Sequence, residues 1–232
     1  MYCIEIIFSD PHLLVINKPA GLLAVPGRGA DKADCVHTRL KESFADALVV
    51  HRLDQATSGL MVFARTPKAQ KELGKGFAAQ QVSKTYLAVV NGQVGLTQDW
   101  QRIDKPIGAD WPRRPKQRID VAGKPSVTLW RSLGGGEKSM TSVLELKPLS
   151  GRTHQLRVHL MSIGLPIVGD SLYSEVQAAG SLEHGEQVNS RMLLHAYQLE
   201  FEHPVTGETL KFVSHPEFLH PRLLKSNSSE CF

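Results

Sequence analysis

The stretch VVHRLDQATSGLMVFAR, residues 49–65, constrains the fold more than any other part of the chain. Its ends, Val49-Val50 and Leu60 to Ala64, are short apolar runs with the pattern of buried strands. Between them stand His51, Arg52 and Asp54, then Thr57, Ser58 and Gly59, which read as turn formers. An acid is thus held on a loop between two buried strands. It either accepts turn N–H groups, as aspartates ahead of Ser-Gly commonly do, or it does chemistry. If the segment is extended, Arg52 and Asp54 project to the same side. A cation beside a carboxylate favours the ionised form that a nucleophile or base requires.

The rest of the chain supplies further strands and few helices. Residues 3–17 read as two strands joined at Ser9-Asp10-Pro11, followed by a loop rich in Gly and Pro. Residues 36–46 read as helix. Thr66-Pro67 is an N-cap followed by proline at the first helical position, and that helix is expected to reach about Gln80. Strands are expected at 48–50, 60–65, 84–90, 126–132 and 140–147, and a hairpin at 193–201 and 209–213. Residues 93–125 are polar and broken by proline. An amphipathic helix is expected over 153–163, closed by Gly164. Without a βαβ rhythm, the class is α+β with a mixed, mainly antiparallel sheet. Residues 1–220 are expected to form a single domain, with a frayed tail at 221–232.

Composition excludes several function classes. With 232 residues, the chain can bury a core without a disulfide or a metal. No apolar run approaches the ~18 residues of a membrane span, and the N-terminus lacks the features of a signal peptide. Cys3, Cys35 and Cys231 form no CxxC pair, which disfavours a zinc knuckle and fits a reducing cytoplasm. A net charge of +4 and a pI near 9.0 tilt towards a polyanionic partner. GxSxG, Walker A and GxGxxG patterns are missing, and His154 and His159 lack the spacing of HExxH.

Three other segments could carry chemistry. In KPLSGRTHQLRVHLMSIG, 147–164, Leu156, Leu160 and Ile163 make an apolar stripe. Thr153 and Arg157 then share a face with His154 beside them. That basic face is either solvated or partly turned into a cleft. Tyr86, in KTYLAVV, is either a core residue or a ring offered to a ligand. The segment 108–125 carries Arg113, Arg114, Lys116, Arg118 and Lys124 beside Trp111, against Asp120 alone within its basic part. Such groups neutralise phosphates and stack on bases, or they merely decorate a solvated loop.

Together these motifs resemble the RluA-type pseudouridine synthases. HRLDQATSG is similar to the family's signature, supported by INKPAGLLAVPG, KTYLAVV and LSGRTHQLRVHL…G.PIVGD..Y in the family's order over about residues 5–213. The resemblance implies a pseudouridine synthase fold with a central catalytic cleft. It implies conversion of uridine in RNA to pseudouridine: the base is cut from ribose at N1, turned, and rejoined through C5, with no cofactor and no metal. Asp54 would be the catalytic carboxylate, attacking C1′ or taking a proton from C2′. Arg157 would pair with it, and its replacement is expected to cost activity more than stability. Tyr86 would stack on the uracil and serve later proton removal. Arg52, with His51 beside it, would fill the space left by the flipped nucleotide, and Leu156 would line the base pocket. Arg113, Arg114, Lys116 and Arg118 would bind RNA. DWPRRPKQ resembles the subgroup acting on both large-subunit ribosomal RNA and transfer RNA, and the start of the chain at the catalytic domain, without an S4 domain, fits that subgroup. A cytoplasmic monomer with no protein partner is expected. The competing classes are an RNA-binding module without chemistry and a nucleoside hydrolase. The latter generally needs two carboxylates roughly 5–10 Å apart.

Overall fold

Every residue of strand β4 (Ser58–Ala64) is buried. The computed structural model describes residues 4–27, 29, 32–135, 140–174 and 191–219. It shows why β4 is apolar from Leu60 to Ala64. Met61 and Phe63 face helix α1 (Val36–Ser43), meeting Val36 and Leu40. Leu60, Val62 and Ala64 face helix α2 (Pro67–Ala78), meeting Ala69 and Leu73. With both sides covered, no position on the strand can be polar without a partner. The helices begin where local chemistry dictates. Thr66 accepts the Ala69 N–H ahead of Pro67, and Cys35 and Thr38 form a reciprocal capping box on α1.

The strands are β1 (Glu5–Ser9), β2 (Leu13–Lys18), β3 (Leu48–Val49), β5 (Ser83–Asn91), β6 (Gln101–Asp104), β7 (Ile107–Ala109), β8 (Gln117–Ile119), β9 (Val127–Gly134), β10 (Thr141–Pro148), β11 (Leu194–Glu202) and β12 (Thr209–Val213). A ten-stranded sheet runs β1-β2-β4-β11-β5-β10-β9-β6, with β3 paired to β4 and β12 to β11. Every pairing in it is antiparallel except β4–β11, which is parallel and joins the two halves. The expected mixed, mainly antiparallel α+β class is therefore what forms.

That central junction revises the reading of Ser58 and Gly59 as turn formers. Both lie in β4. Gly59 sits at φ +110, and a Cβ there would stand 2.4 Å from the Ala196 carbonyl oxygen on β11. Glycine is required by the approach of another strand, a contact 137 residues away for the neighbouring Ser58–His195 pair and invisible in a local window.

Two other expectations are revised. Residues 93–125 are not merely a loop: β6 extends the sheet, and β7 and β8 pair as a hairpin, with a 3-10 turn at Trp111–Arg113 near its tip. These strands are three or four residues long, too short to show a period. The helix expected over 153–163 is α3 (Gln155–Met161), and it is buried from Gln155 to Leu160 rather than amphipathic. Thr153 lies outside it, so it shares no helical face with Arg157. Gly164, at φ +78, follows the helix as expected, and the Leu165 N–H returns to the Leu160 carbonyl. Leu156 and Leu160 pack on Ala88, Val90, Leu144 and Leu146 of β5 and β10. Cys3, Cys231, the tail at 221–232 and most of 174–190 lie outside the described residues.

Candidate active site

The loop carrying Asp54 is tied down from below by Lys18. At the end of β2 the chain places this lysine fully inside, paired across the sheet with Gly59. Its Nζ donates to the carbonyls of Pro19 (2.8 Å), Leu22 (2.7 Å) and Gln55 (3.0 Å). Burial pushes its pKa down to about 7, with the charge of Asp54 acting in the opposite direction. Three carbonyl acceptors also favour the protonated form. Gly21 N–H donates to the Gln55 carbonyl (2.9 Å) and Gln55 Nε2 to the Gly21 carbonyl (2.9 Å). The glycine-rich loop and the Asp54 loop are thereby stitched into one unit, and the Thr57 N–H closes the turn on the Asp54 carbonyl (3.1 Å).

Above that loop stands Arg157. Its Nη1 donates to Asp54 Oδ2 at 3.2 Å, while Nε and Nη2 donate to the two oxygens of Asp170 at 2.7 Å each. Asp170 Oδ1 also accepts the N–H groups of Leu172 (2.9 Å) and Tyr173 (3.2 Å). The Asp170 side chain is 0% exposed, that of Arg157 5% and that of Asp54 21%. Burial works against the Arg157 cation, but the hydrogen bonds and charge of Asp170, then of Asp54, outweigh it and raise its pKa. Arg157 is thus both the partner of Asp54 and the counter-charge of a sealed carboxylate. Its replacement would strand the buried Asp170 charge, so it should cost more stability than the modest loss expected from sequence.

The two residues face a cleft of about 490 Å³, whose walls include Arg52, Lys84, Tyr86, Arg152, His154 and Leu156. The volume is in the range of a small-ligand pocket. The Tyr86 pKa is raised, first by burial and then by the charge of Asp54, so its phenol stays protonated well into the alkaline range. Arg52 is exposed at the mouth and has no hydrogen bond or ion pair among the described residues.

His51 does not join Arg52 as a second cation. Its Nε2 accepts the Val62 N–H (3.1 Å), and its ring stacks on Phe77 with centroids 4.4 Å apart. Burial, assisted by Lys84, lowers its pKa to about 3. The ring is a neutral prop on the cleft wall. The basic hairpin is also less free than its sequence implies. Arg113 pairs with the buried Asp110 and Arg118 with Asp120 (2.7 and 3.0 Å), and the Arg114 guanidinium lies 3.6 Å from the Trp111 ring centroid. No ion pair engages Lys116 among the described residues. The hairpin reaches the site all the same, because the Gln117 N–H donates to Tyr173 Oη at 2.7 Å.

Of the histidines flanking Arg157, His159 is a strut. It bridges Thr128 Oγ1 and the Lys105 carbonyl at 2.9 Å each, and burial lowers its pKa. Among the described residues no group of three or more His, Cys, Asp or Glu side chains could hold a metal ion.

A cleft-facing carboxylate and a sealed one share a buried arginine beside a tyrosine, on a sheet with this strand order, and known proteins carry the same pattern of motifs. Residues 12–162 match the family model described as RNA pseudouridylate synthase. The chain belongs to that family. It is 41% identical over 216 residues to the dual-specificity RNA pseudouridine synthase RluA of Haemophilus influenzae, covering 93% of this chain and 94% of the relative. It is 42% identical over 214 residues to the RluA of Yersinia pestis, covering 92% and 99%. Among solved structures, human RNA Pseudouridylate Synthase Domain Containing 1 superposes with a TM-score of 0.71 at 29% identity, covering 95% of this chain and 86% of that one. The domain-containing-4 counterpart gives 0.67 at 29%, covering 92% and 89%. The chain is an RNA pseudouridine synthase, an isomerase with RNA as its substrate.

Three residues at the centre of this synthase carried no role in the sequence reading: Lys18, Asp170 and Tyr173. Each stands inside a string that matched the family, INKPAG or G.PIVGD..Y, and that was the available signal. No helical or strand period connects any of them to Asp54. The hydrolase alternative would need a second working carboxylate. Asp170 is the acid beside Arg157, and four donors plus complete burial occupy it fully.

Proposed function

We propose that this synthase isomerises uridines in a stem-loop of large-subunit ribosomal RNA and in the anticodon stem-loop of transfer RNA, with Asp54 as the carboxylate that acts on the ribose. The observation that carries the assignment is the clamp: Arg157, anchored on Asp170, holds one oxygen of Asp54 at 3.2 Å inside the cleft that Tyr86 also lines. A carboxylate so oriented costs no reorganisation when the substrate arrives. Tyr86 stacks on the uracil and serves the proton removal that follows once C5 has been joined to the sugar: its oxygen takes the C5 proton as its own O–H proton passes to N1 of the base. Leu156 supplies an apolar wall for the ring. Arg52, unpaired at the mouth, enters the duplex or loop where the target nucleotide leaves it, offsetting an extrusion cost of a few kcal/mol. The hairpin residues Arg113, Arg114, Lys116 and Arg118 lie along the RNA backbone. The dual specificity of the relatives supports two RNA classes, as does a cleft that grips a flipped base and a bent loop rather than a sequence. The enzyme works as a cytoplasmic monomer without a cofactor.

The test uses the purified chain, one short stem-loop of each RNA class and both full-length RNAs, at one salt concentration. Carbodiimide treatment and sequencing locate the product. Modification of both stem-loops without a change in RNA mass is expected. Modification of only one class removes dual specificity, and release of free uracil removes the isomerase chemistry.

A further inference from the structure

We propose that His154 is a positioning residue for Asp54, fixed as the Nε2–H tautomer by Tyr173 and coupled through Tyr173 to the β7–β8 hairpin. The inference rests on Asp54 being the reacting carboxylate.

The argument starts from proton counting. Tyr173 Oη lies 2.7 Å from the Gln117 nitrogen and 2.8 Å from His154 Nδ1. A backbone N–H can only donate, so Oη accepts there. The phenol has one proton, and among the described residues His154 Nδ1 is the acceptor in reach of it. Tyr173 is buried, and a buried O–H is given a partner. The O–H therefore goes to Nδ1, and the neutral imidazole carries its own proton on Nε2.

That nitrogen faces Asp54. Nε2 lies 3.8 Å from Oδ2, beyond hydrogen-bond distance but within a small side-chain adjustment of it. Oδ2 is also the oxygen that Arg157 holds. Both neighbours thus converge on one oxygen, and Oδ1 has no donor among the described residues. The arrangement distinguishes the two oxygens: Oδ2 is held by protein, and Oδ1 is left for the ribose. A ring protonated on Nδ1 would instead present a lone pair to the carboxylate and push it away.

The backbone supports the same reading. His154 sits at φ 54, ψ 20, in the left-handed region that a residue other than glycine seldom adopts. Its carbonyl still accepts the Val158 N–H, so the strained residue both starts α3 and turns its ring into the cleft. Strain of this kind persists where the surrounding structure enforces it, commonly at working sites. The charged groups around the ring are Asp54, Arg157, Asp170 and Arg52. Burial lowers its pKa, which keeps it neutral near pH 7.

The hairpin therefore reaches Asp54 by two routes. One runs from Gln117 through Tyr173 to His154. The other uses the turn that holds Tyr173, since Asp170 accepts the Tyr173 N–H and grips Arg157.

The experiment compares single-turnover rates and Kd on a stem-loop RNA for wild type, Tyr173→Phe, His154→Asn, His154→Gln and the double variant Tyr173→Phe/His154→Asn. Asparagine tolerates the left-handed backbone but is too short to reach Asp54; the glutamine amide restores a donor near the Nε2 position. Tyr173→Phe and His154→Asn should each slow the chemical step roughly 10- to 100-fold, the usual range for a group that orients a reacting side chain. Kd should stay within about threefold, because a positioning role acts on the chemical step rather than on binding. The double variant should be no slower than the slower single one, and His154→Gln should recover part of the rate. ¹⁵N spectra of the imidazole should report the neutral Nε2–H form, a readout independent of activity. Additive rate losses, an Nδ1–H tautomer, or loss confined to Kd would overturn the proposal. If His154→Asn does not fold, Tyr173→Phe and the spectra decide, since phenylalanine keeps the ring packing. Asp54→Asn is run alongside: an active Asp54→Asn removes the underlying reading, whereas an inactive Asp54→Asn with fully active His154→Asn removes this inference alone.

Discussion

Replacing Asp170 with asparagine separates charge from packing at the centre of the enzyme. The side chain is fully buried, and its oxygens accept from Arg157 Nε and Nη2 and from the Leu172 and Tyr173 N–H groups. Asparagine preserves the volume but presents an NH₂ group to one of those donors. The Arg157 guanidinium, 5% exposed, would keep a single anionic partner, Asp54, at 3.2 Å. Removing one member of a buried pair costs about 3–5 kcal/mol when the other is left desolvated, and the single longer contact to the half-buried Asp54 offsets only part of that cost. With a urea m-value of roughly 2–3 kcal/mol/M for a chain of this size, the unfolding midpoint should fall by roughly 1–2 M. Asp54→Asn is the contrast. That side chain is 21% exposed and loses one charge-assisted bond whose remaining partner keeps Asp170, so the loss should stay near ~1 kcal/mol. Equilibrium unfolding followed by tryptophan fluorescence, paired with single-turnover rates, reads both. Asp170→Asn should lose stability and rate together, and Asp54→Asn chiefly rate. A midpoint for Asp170→Asn within about 0.3 M of wild type would refute the reasoning, since it corresponds to under ~1 kcal/mol.

Asp54→Asn should abolish turnover while Kd for a stem-loop stays within about tenfold, because the amide keeps the shape but is neither nucleophile nor base; measurable turnover would remove Asp54 from the chemistry. Arg52→Ala should weaken binding to a folded stem-loop more than to a single strand whose target base is already unstacked, because the side chain offsets an extrusion cost of a few kcal/mol; equal losses on both RNAs would remove that role. The quadruple Arg113, Arg114, Lys116 and Arg118 alanine variant should flatten the salt dependence of binding by less than four steps of roughly 0.7–0.9 log units per log salt, since Arg113 and Arg118 are already paired with Asp110 and Asp120; an unchanged slope would make the hairpin a solvated decoration. Stability should fall on acidification. Burial pushes the His195 pKa from 6.5 to about 4, with Arg191 and His215 adding to the effect and the Ser214 carbonyl opposing it. The unfolded chain therefore binds the extra proton between those values, so the contribution is complete above pH 6.5 and is lost as pH drops towards 4. It amounts to on the order of 3 kcal/mol, and urea midpoints at pH 7 and pH 4.5 should fall less for His195→Gln than for wild type.

Much of this molecule was legible without coordinates wherever information is local. Continuous apolar runs marked β4 and β5, Thr66-Pro67 marked the start of α2, and Gly164 marked the end of α3. The signature around Asp54 named the family. A strand period, a cap or a contiguous signature is written within a few residues, so reading along the chain recovers it. Other features depend on who approaches from a distance. Gly59 reads as a turn residue until β11 lies against it, and His51 reads as a companion of Arg52 at the RNA until Phe77 and the Val62 N–H enclose it. Arg113 and Arg118 read as free charges until Asp110 and Asp120 meet them. Lys18, Asp170 and Tyr173 gather around Asp54 only through folding, from positions sharing no period with it. The sequence by itself determined the family, through its contiguous motifs, and that a mainly antiparallel sheet would form. Tertiary structure alone decided which charges are paired, which rings are neutral and which oxygen of Asp54 is free. Ionisation and hydrogen bonding depend on burial and on neighbours within about 4–6 Å, and in a folded chain those neighbours are set by packing rather than by order along the backbone.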